Sequence, residues 1–364
     1  MPWAGRSRRE TEANMTEART VLVTGFPLDL ARRTVTELAA RGDRCLVLAQ
    51  PKFVAEAEAL AAQLHPGRVE VWEGDVLQLD LGLPGTRVRQ LHHDAAEIHH
   101  IAAVSYLGAP LGSMRQVNVE GLRELLEVAL GCRKLERVCV WSTVFVAGDR
   151  SGTVYEDELL AGQHFRNAYE STKAEAEGLA RTAMGKLPVT IVRPSIIVGD
   201  SQTGAIGRMD GPYVLMKAIV QAQPETAVPL PGRGQFPLPI IPIDFAVRAA
   251  LALTRHPDAV GGTFHLVDDQ PLTARELFDA VADAAGRPRP ALYLPGGVAR
   301  AVLNLPILRD RVRGERSFVE WFDTDVRFDD RRARALLAPL GITCPPALAY
   351  VEPLVRHIRE HAAG

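Results

Sequence analysis

Tyr169 and Lys173 stand four residues apart in Tyr169-Glu170-Ser171-Thr172-Lys173. On a helix that spacing puts both side chains on one face. A phenol with its ordinary pKa of about 10 is a poor acid or base at neutral pH, and a neighbouring ammonium favours its ionised form. The two residues are therefore candidates for proton transfer at a carbonyl or alcohol oxygen. Read alone, they could equally be an exposed helix pair. A third group joins them: an apolar run ends at Val140-Trp141-Ser142-Thr143, with Gly148 following. If that run is a strand, its C-terminal end faces a ligand crevice, where Thr143 could hold a carbonyl oxygen while Tyr169 moves the proton.

Such a site needs a scaffold, and the hydrophobic pattern supplies one. Apolar runs at 20–24, 45–49, 69–72, 97–103, 137–142, 189–192 and 263–267 read as strands. Between them, 29–41, a stretch ending near 64, 112–131 and 166–185 read as helices. Further helices are expected at 273–285, capped by Thr273, and at 347–361. Alternating strands and helices imply right-handed crossovers and a mainly parallel, Rossmann-type doubly wound α/β sheet. The strand runs are apolar on both faces, as a sheet covered on both sides requires. The expected division is a polar tail at 1–18, a dinucleotide-binding core at 19–203, a Gly- and Pro-rich cleft insertion at 204–238, a return to the core at 239–270 and a C-terminal substrate lobe at 271–364.

In such a fold the turn after the first strand presents backbone N–H groups to a pyrophosphate. The turn here is Gly25-Phe26-Pro27-Leu28-Asp29-Leu30-Ala31. Gly25 fits the first tight turn. Leu28 and Ala31 stand where two more glycines are expected, and Asp29 brings a negative charge to the helix start. The second run ends in Ala49-Gln50-Pro51-Lys52 with no carboxylate to take ribose hydroxyls, and Lys52 could meet a 2′-phosphate, so NADP is favoured over NAD. Gly74-Asp75-Val76 could meet the adenine edge, or Asp75 could cap the following segment.

In order along the chain, these motifs resemble the extended short-chain dehydrogenase/reductases over nearly all of 20–270, closest to the branch of thioester reductase domains and fatty acyl-CoA reductases. The matching segments are Val23–Pro27, His100-Ile101-Ala102-Ala103, Asn118-Val119-Glu120-Gly121, Ser142-Thr143 with Gly148, Tyr169 through Lys173, and Arg193-Pro194-Ser195-Ile196-Ile197-Val198-Gly199-Asp200-Ser201. The resemblance implies Tyr169 as acid/base, Lys173 as its activator and a cofactor contact, and Thr143 as the carbonyl-orienting hydroxyl. It implies that Ala102, Ala103, Pro194, Ile196 and Ile197 line the cofactor site. Leu28, Asp29 and Ala31 depart from the family's loop and weigh against tight cofactor binding.

The leading expectation is an NADP-dependent oxidoreductase acting on an apolar carbonyl, alcohol or acyl thioester, the thioester arriving in trans. Two alternatives remain open: an isomerase or lyase of the same fold, and a non-redox binding protein with an impaired cofactor site. Tyr106, Phe145 and Tyr213 are candidate substrate contacts, with core or rim packing as the other reading. A homodimer is plausible by analogy with the family.

Composition narrows the rest. The chain has 364 residues, 47% hydrophobic and 24% charged, with a formal net charge of −2. No long basic run favours a nucleic-acid partner, and no apolar run is long enough to span a bilayer. Cys45, Cys132, Cys139 and Cys344 lack metal-type spacing and read as buried thiols of a cytoplasmic protein. Arg6, Arg8 and Arg9 are followed by polar residues rather than the apolar stretch of an export signal. His92, His93, His99 and His100 suggest a metal cluster, but adjacent strand residues face opposite ways, so no metal site is expected.

Overall fold

Short aliphatic runs closed by glycine, proline or charge become strands in the computed structural model, which describes residues 18–106, 108–232, 234–291, 293–294 and 324–361. The first half alternates as expected: β1 (Thr20–Thr24), α1 (Asp29–Ala40), β2 (Arg44–Ala49), α2 (Val54–Gln63), β3 (Val69–Glu73), α3 (Gly85–Asp94) and β4 (Ala95–His100). Then follow α4 (Leu111–Arg115), a π-helical turn (Gln116–Glu120), α5 (Gly121–Leu130), β5 (Arg137–Trp141), β6 (Gly152–Val154), α6 (Ala168–Ala183), β7 (Val189–Pro194) and β8 (Ile196–Val198). The remainder holds α7 (Pro212–Gln221), β9 (Leu230–Pro231), β10 (Ile240–Pro242), α8 (Ile243–Arg255), β11 (Thr263–Leu266), α9 (Ala274–Ala285), β12 (Tyr293–Leu294), β13 (Val326–Phe328), α10 (Arg331–Leu337) and α11 (Val351–His361).

Seven strands form one parallel sheet in the order β11-β7-β5-β4-β1-β2-β3. The order reverses direction between β1 and β4, which makes their C-terminal ends the crevice of a doubly wound fold. Two large apolar clusters cover the sheet's two faces. One gathers Val21, Val23, Val35, Leu38 and Trp141 under α1 and α8; the other gathers Leu22, Ile98, Leu122, Leu125 and Val140 under α5 and α6. A third cluster, with Tyr213, Met216, Phe278, Tyr350 and Leu354, joins α7, α9 and α11 into a separate lobe.

Two readings need correction. The helix expected at 112–131 is interrupted by the π turn, where Asn118 clamps the Val104 backbone. His92 and His93 lie on α3, a helix not expected from the sequence, and only His99 and His100 are on a strand. The Gly- and Pro-rich 204–238 insertion contains a full helix, α7. The return at 239–270 contains α8. The expected tail lies outside the described residues except for residue 18, as do residues 295–323 of the expected C-terminal lobe. Thr273 caps α9 as expected, exchanging hydrogen bonds with Glu276. No helix among the described residues is long and apolar enough to cross a membrane.

Candidate active site

Helix α6 begins with a local device written in its sequence. The Asn167 side chain accepts the Glu170 N–H at 3.0 Å, and the Glu170 carboxylate accepts the Arg166 N–H at 2.9 Å, which satisfies amides at the helix start. From that fixed start, Tyr169 and Lys173 reach the wall of one cavity of about 350 Å³. The end of β5 brings Thr143 to the same wall, where its hydroxyl is near enough to the Tyr169 phenol to favour its ionised form. Thr143 also caps a short 3₁₀ turn by accepting the Phe145 N–H.

The electrostatics differ from the simple expectation of an ammonium acidifying a phenol. Burial pushes Tyr169 up to about 12; the Thr143 hydroxyl opposes this and the Glu170 carboxylate adds to it. Lys173 donates from Nζ to the Trp141 carbonyl at 2.5 Å instead of acting on the phenol. Burial pushes Lys173 down to about 8, partly opposed by the Glu177 carboxylate. Desolvation therefore outweighs the ion–phenol attraction, and Tyr169 stands as a protonated acid at neutral pH.

Of the other residues singled out from sequence, Leu28, Ala103, Pro194, Ile196, Ile197, Tyr106, Phe145 and Tyr213 border this cavity. Tyr213 is buried and its hydroxyl accepts the Gly199 N–H at 2.7 Å, so it also fixes that loop. Gly25, Phe26, Pro27 and Ala102 do not border it, although their neighbours Leu28, Ile101 and Ala103 do. Gly25 has φ +96° and a Cβ there would lie 2.7 Å from the Ala102 nitrogen, so only glycine fits. Gln50, Lys52, Asp75 and Val76 lie at the ends of β2 and β3, away from this cavity. There Gln50 donates to Asp75 at 2.8 Å, Lys52 sits over the Phe53 ring and Val76 is buried.

The Ser195 hydroxyl, in the segment expected to line the cofactor site, is buried with no hydrogen-bond partner among the described residues. Two further lining residues were not singled out. Asn167 and Glu170 carry the legible Asn-x-x-Glu helix start. Asp29, expected to repel a phosphate, turns its carboxylate to the Arg208 N–H at 3.2 Å. The tight glycine turn and the unsatisfied Ser195 hydroxyl fit a nicotinamide dinucleotide.

A parallel sheet with its crevice at the β1/β4 reversal, a Tyr-x-x-x-Lys helix and a strand-end threonine define an extended short-chain dehydrogenase/reductase. The chain belongs to the male sterility protein family of NAD-binding domains, which its residues 47–250 match. The match starts within β2, so the altered glycine turn lies outside it. The structure is similar to the terminal R domain from the myxalamid PKS-NRPS biosynthetic pathway, with TM-score 0.81 and 26% identity, covering 96% of this chain and 92% of that one. Among curated relatives, glycine betaine reductase ATRR of Emericella nidulans is 26% identical over 73% of this chain, and aldehyde reductase lnaA of Aspergillus flavus 29% identical over 51%. The matched regions span only 22% and 18% of those two proteins' lengths.

Proposed function

We propose that the protein is an NADP-dependent reductase that converts an acyl thioester, delivered on a separate carrier, to an aldehyde. The observation that carries this reading is the convergence of Tyr169, Lys173 and Thr143 on one largely apolar cavity. When bound, the reduced nicotinamide supplies the hydride. Thr143 and Tyr169 hold the substrate's carbonyl oxygen, and Tyr169 gives it a proton as the carbonyl carbon gains hydride. The resulting thiohemiacetal loses its thiol, leaving the aldehyde. A phenol held protonated suits this reductive direction. The tyrosinate left by this transfer takes a proton back from solvent, and Lys173 would hold cofactor ribose hydroxyls. Gln50 in place of a strand-end carboxylate, with Lys52 close behind, favours NADP. The boundaries of core, insertion and lobe, and the roles of Tyr106, Phe145 and Tyr213 toward substrate, belong to the same reading.

Tyr169→Phe is expected to lower NADPH oxidation in the presence of an acyl-pantetheine thioester by about 10²-fold or more while the fold is retained. Absorbance at the nicotinamide band follows the rate and circular dichroism the fold. An unchanged rate removes Tyr169 from the chemistry, and no NADPH binding by the parent protein at millimolar concentration overturns the whole reading.

A further inference from the structure

We propose that Glu177 is a positioning residue for Lys173, a buried counter-ion that holds the lysine's charge and locks the end of β5 to α6. The proposal rests on the reading of Tyr169 and Lys173 as the reacting pair. Residues 169, 173 and 177 follow one another at helical turns along a single face of α6. Each meets one of three consecutive residues at the end of β5. Tyr169 shares the cavity wall with Thr143, Lys173 donates to the Trp141 carbonyl, and Glu177 accepts the Ser142 hydroxyl at 2.7 Å. The first two place the reacting groups at the cavity; in the third, Ser142 borders the cavity and Glu177 stands one turn behind it.

Glu177 is fully buried and saturated. Besides Ser142 it accepts Arg193 Nε at 2.9 Å, Arg193 Nη2 at 2.7 Å and Arg181 Nε at 3.0 Å. Burial alone would protonate it, but Arg193, Ser142 and Arg181 keep it ionised. Other titratable groups also face these side chains among the described residues. His100 from β4 and His265 from β11 are both pushed down to about 3 by burial and nearby cations, and Tyr169 stays protonated. Glu170 lies toward Tyr169, and Glu156 accepts the backbone N–H groups of His265, Arg332 and Ala333. Lys173, bonded to the Trp141 carbonyl, has the Glu177 carboxylate one turn away on its own helix face to favour its charged form. A buried Arg–Glu pair is weak evidence for stability alone, since apolar replacements often do as well. Its placement behind the lysine gives it a different use.

The chain has five lysines, so ¹³Cε-lysine NMR titration of the ligand-free protein resolves Lys173, assigned with Lys173→Met. Glu177→Gln is expected to move the Lys173 titration down by about one pH unit or more, a tenfold loss of proton affinity. The alkaline limb of kcat for NADPH-dependent reduction should move with it. Glu177→Gln leaves Arg193 buried without its carboxylate and can fail to fold, so Glu177→Met/Arg193→Met is the second variant. It removes both charges, is expected to fold, and should still show the lowered lysine, because the lost carboxylate stands one turn from Lys173 on the same helix face and favours its charged form. A parental Lys173 titration in the folded double variant overturns the proposal and leaves Glu177 as Arg193's partner only. If the parent protein shows no NADPH turnover, the proposed function fails, while the ligand-free titration still decides the role of Glu177.

Discussion

At the scale of single residues, burial governs this site more than pairwise attraction does. Tyr169 and Lys173 are both moved toward their neutral forms, by the same removal of water. Leu28 shows the same competition in packing terms. It lines the cavity and also packs against the apolar cluster under α1. Leu28→Gly should therefore tighten NADPH binding several-fold by opening the turn, and cost about 1–2 kcal/mol of stability from lost apolar contact. Fluorescence titration and chemical denaturation read the two effects separately, and weaker binding would show that the leucine is a wall and not an obstacle. Tyr169, Lys173 and Thr143 were legible because their chemistry depends on local spacing and on a strand end. Ser142, Glu177 and Arg193 were not, because their meeting is set by which strands are neighbours across the sheet.

At the scale of elements, the strands were legible because buried parallel strands are unbroken apolar runs. Helix α8 was not: it is buried on most of its surface, its polar face is narrowed to Asp244, Arg248 and Arg255, and it follows β10 directly after Pro242. Helix α3 was hidden by its polar composition, with only Val88 and Leu91 buried. What locks α8 to the sheet is again a buried charge. Glu97 on β4 accepts Arg255 Nε from the end of α8 at 2.8 Å and lies 2.7 Å from His99 Nε2. Burial would raise its pKa, but His99 and Arg255 outweigh that and hold it well below the usual carboxylate range. The folded pKa is depressed, so this stabilisation is present above the unfolded value of 4.5 and is lost as pH falls through the lower folded value. Glu97→Gln should cost about 3 kcal/mol near pH 7 and flatten the decline of stability below that unfolded value. Urea denaturation across acidic pH tests this, and an acid profile like the parent's would assign the decline to other carboxylates.

At the scale of the whole molecule, the core and the C-terminal lobe meet through the chain that leaves β8. Arg33 on α1 is ion-paired to Asp200 at 3.1 Å, and Asp29 accepts the Arg208 N–H, so this chain lies over the start of α1. Its other side rests on α11, where His357 Nε2 lies 3.2 Å from the Ile206 carbonyl oxygen. Ile206 and Arg208 then border the catalytic cavity. The closest approach is at Gly204, with φ +74°, where a Cβ would lie 2.1 Å from the Pro353 carbonyl oxygen. Backbone cannot yield cheaply there, so Gly204→Ala must push the chain off α11 or strain it in place. Either outcome loosens the lobe and shifts the segment that meets Asp29, without touching Tyr169, Lys173 or Thr143. The expected result is a loss of about 2–4 kcal/mol of stability and a KM for NADPH that rises more than kcat falls. Thermal denaturation with steady-state kinetics checks both. A destabilised enzyme with the parent's KM would mean that the crossing chain braces the lobe and has no part in shaping the cofactor's entrance.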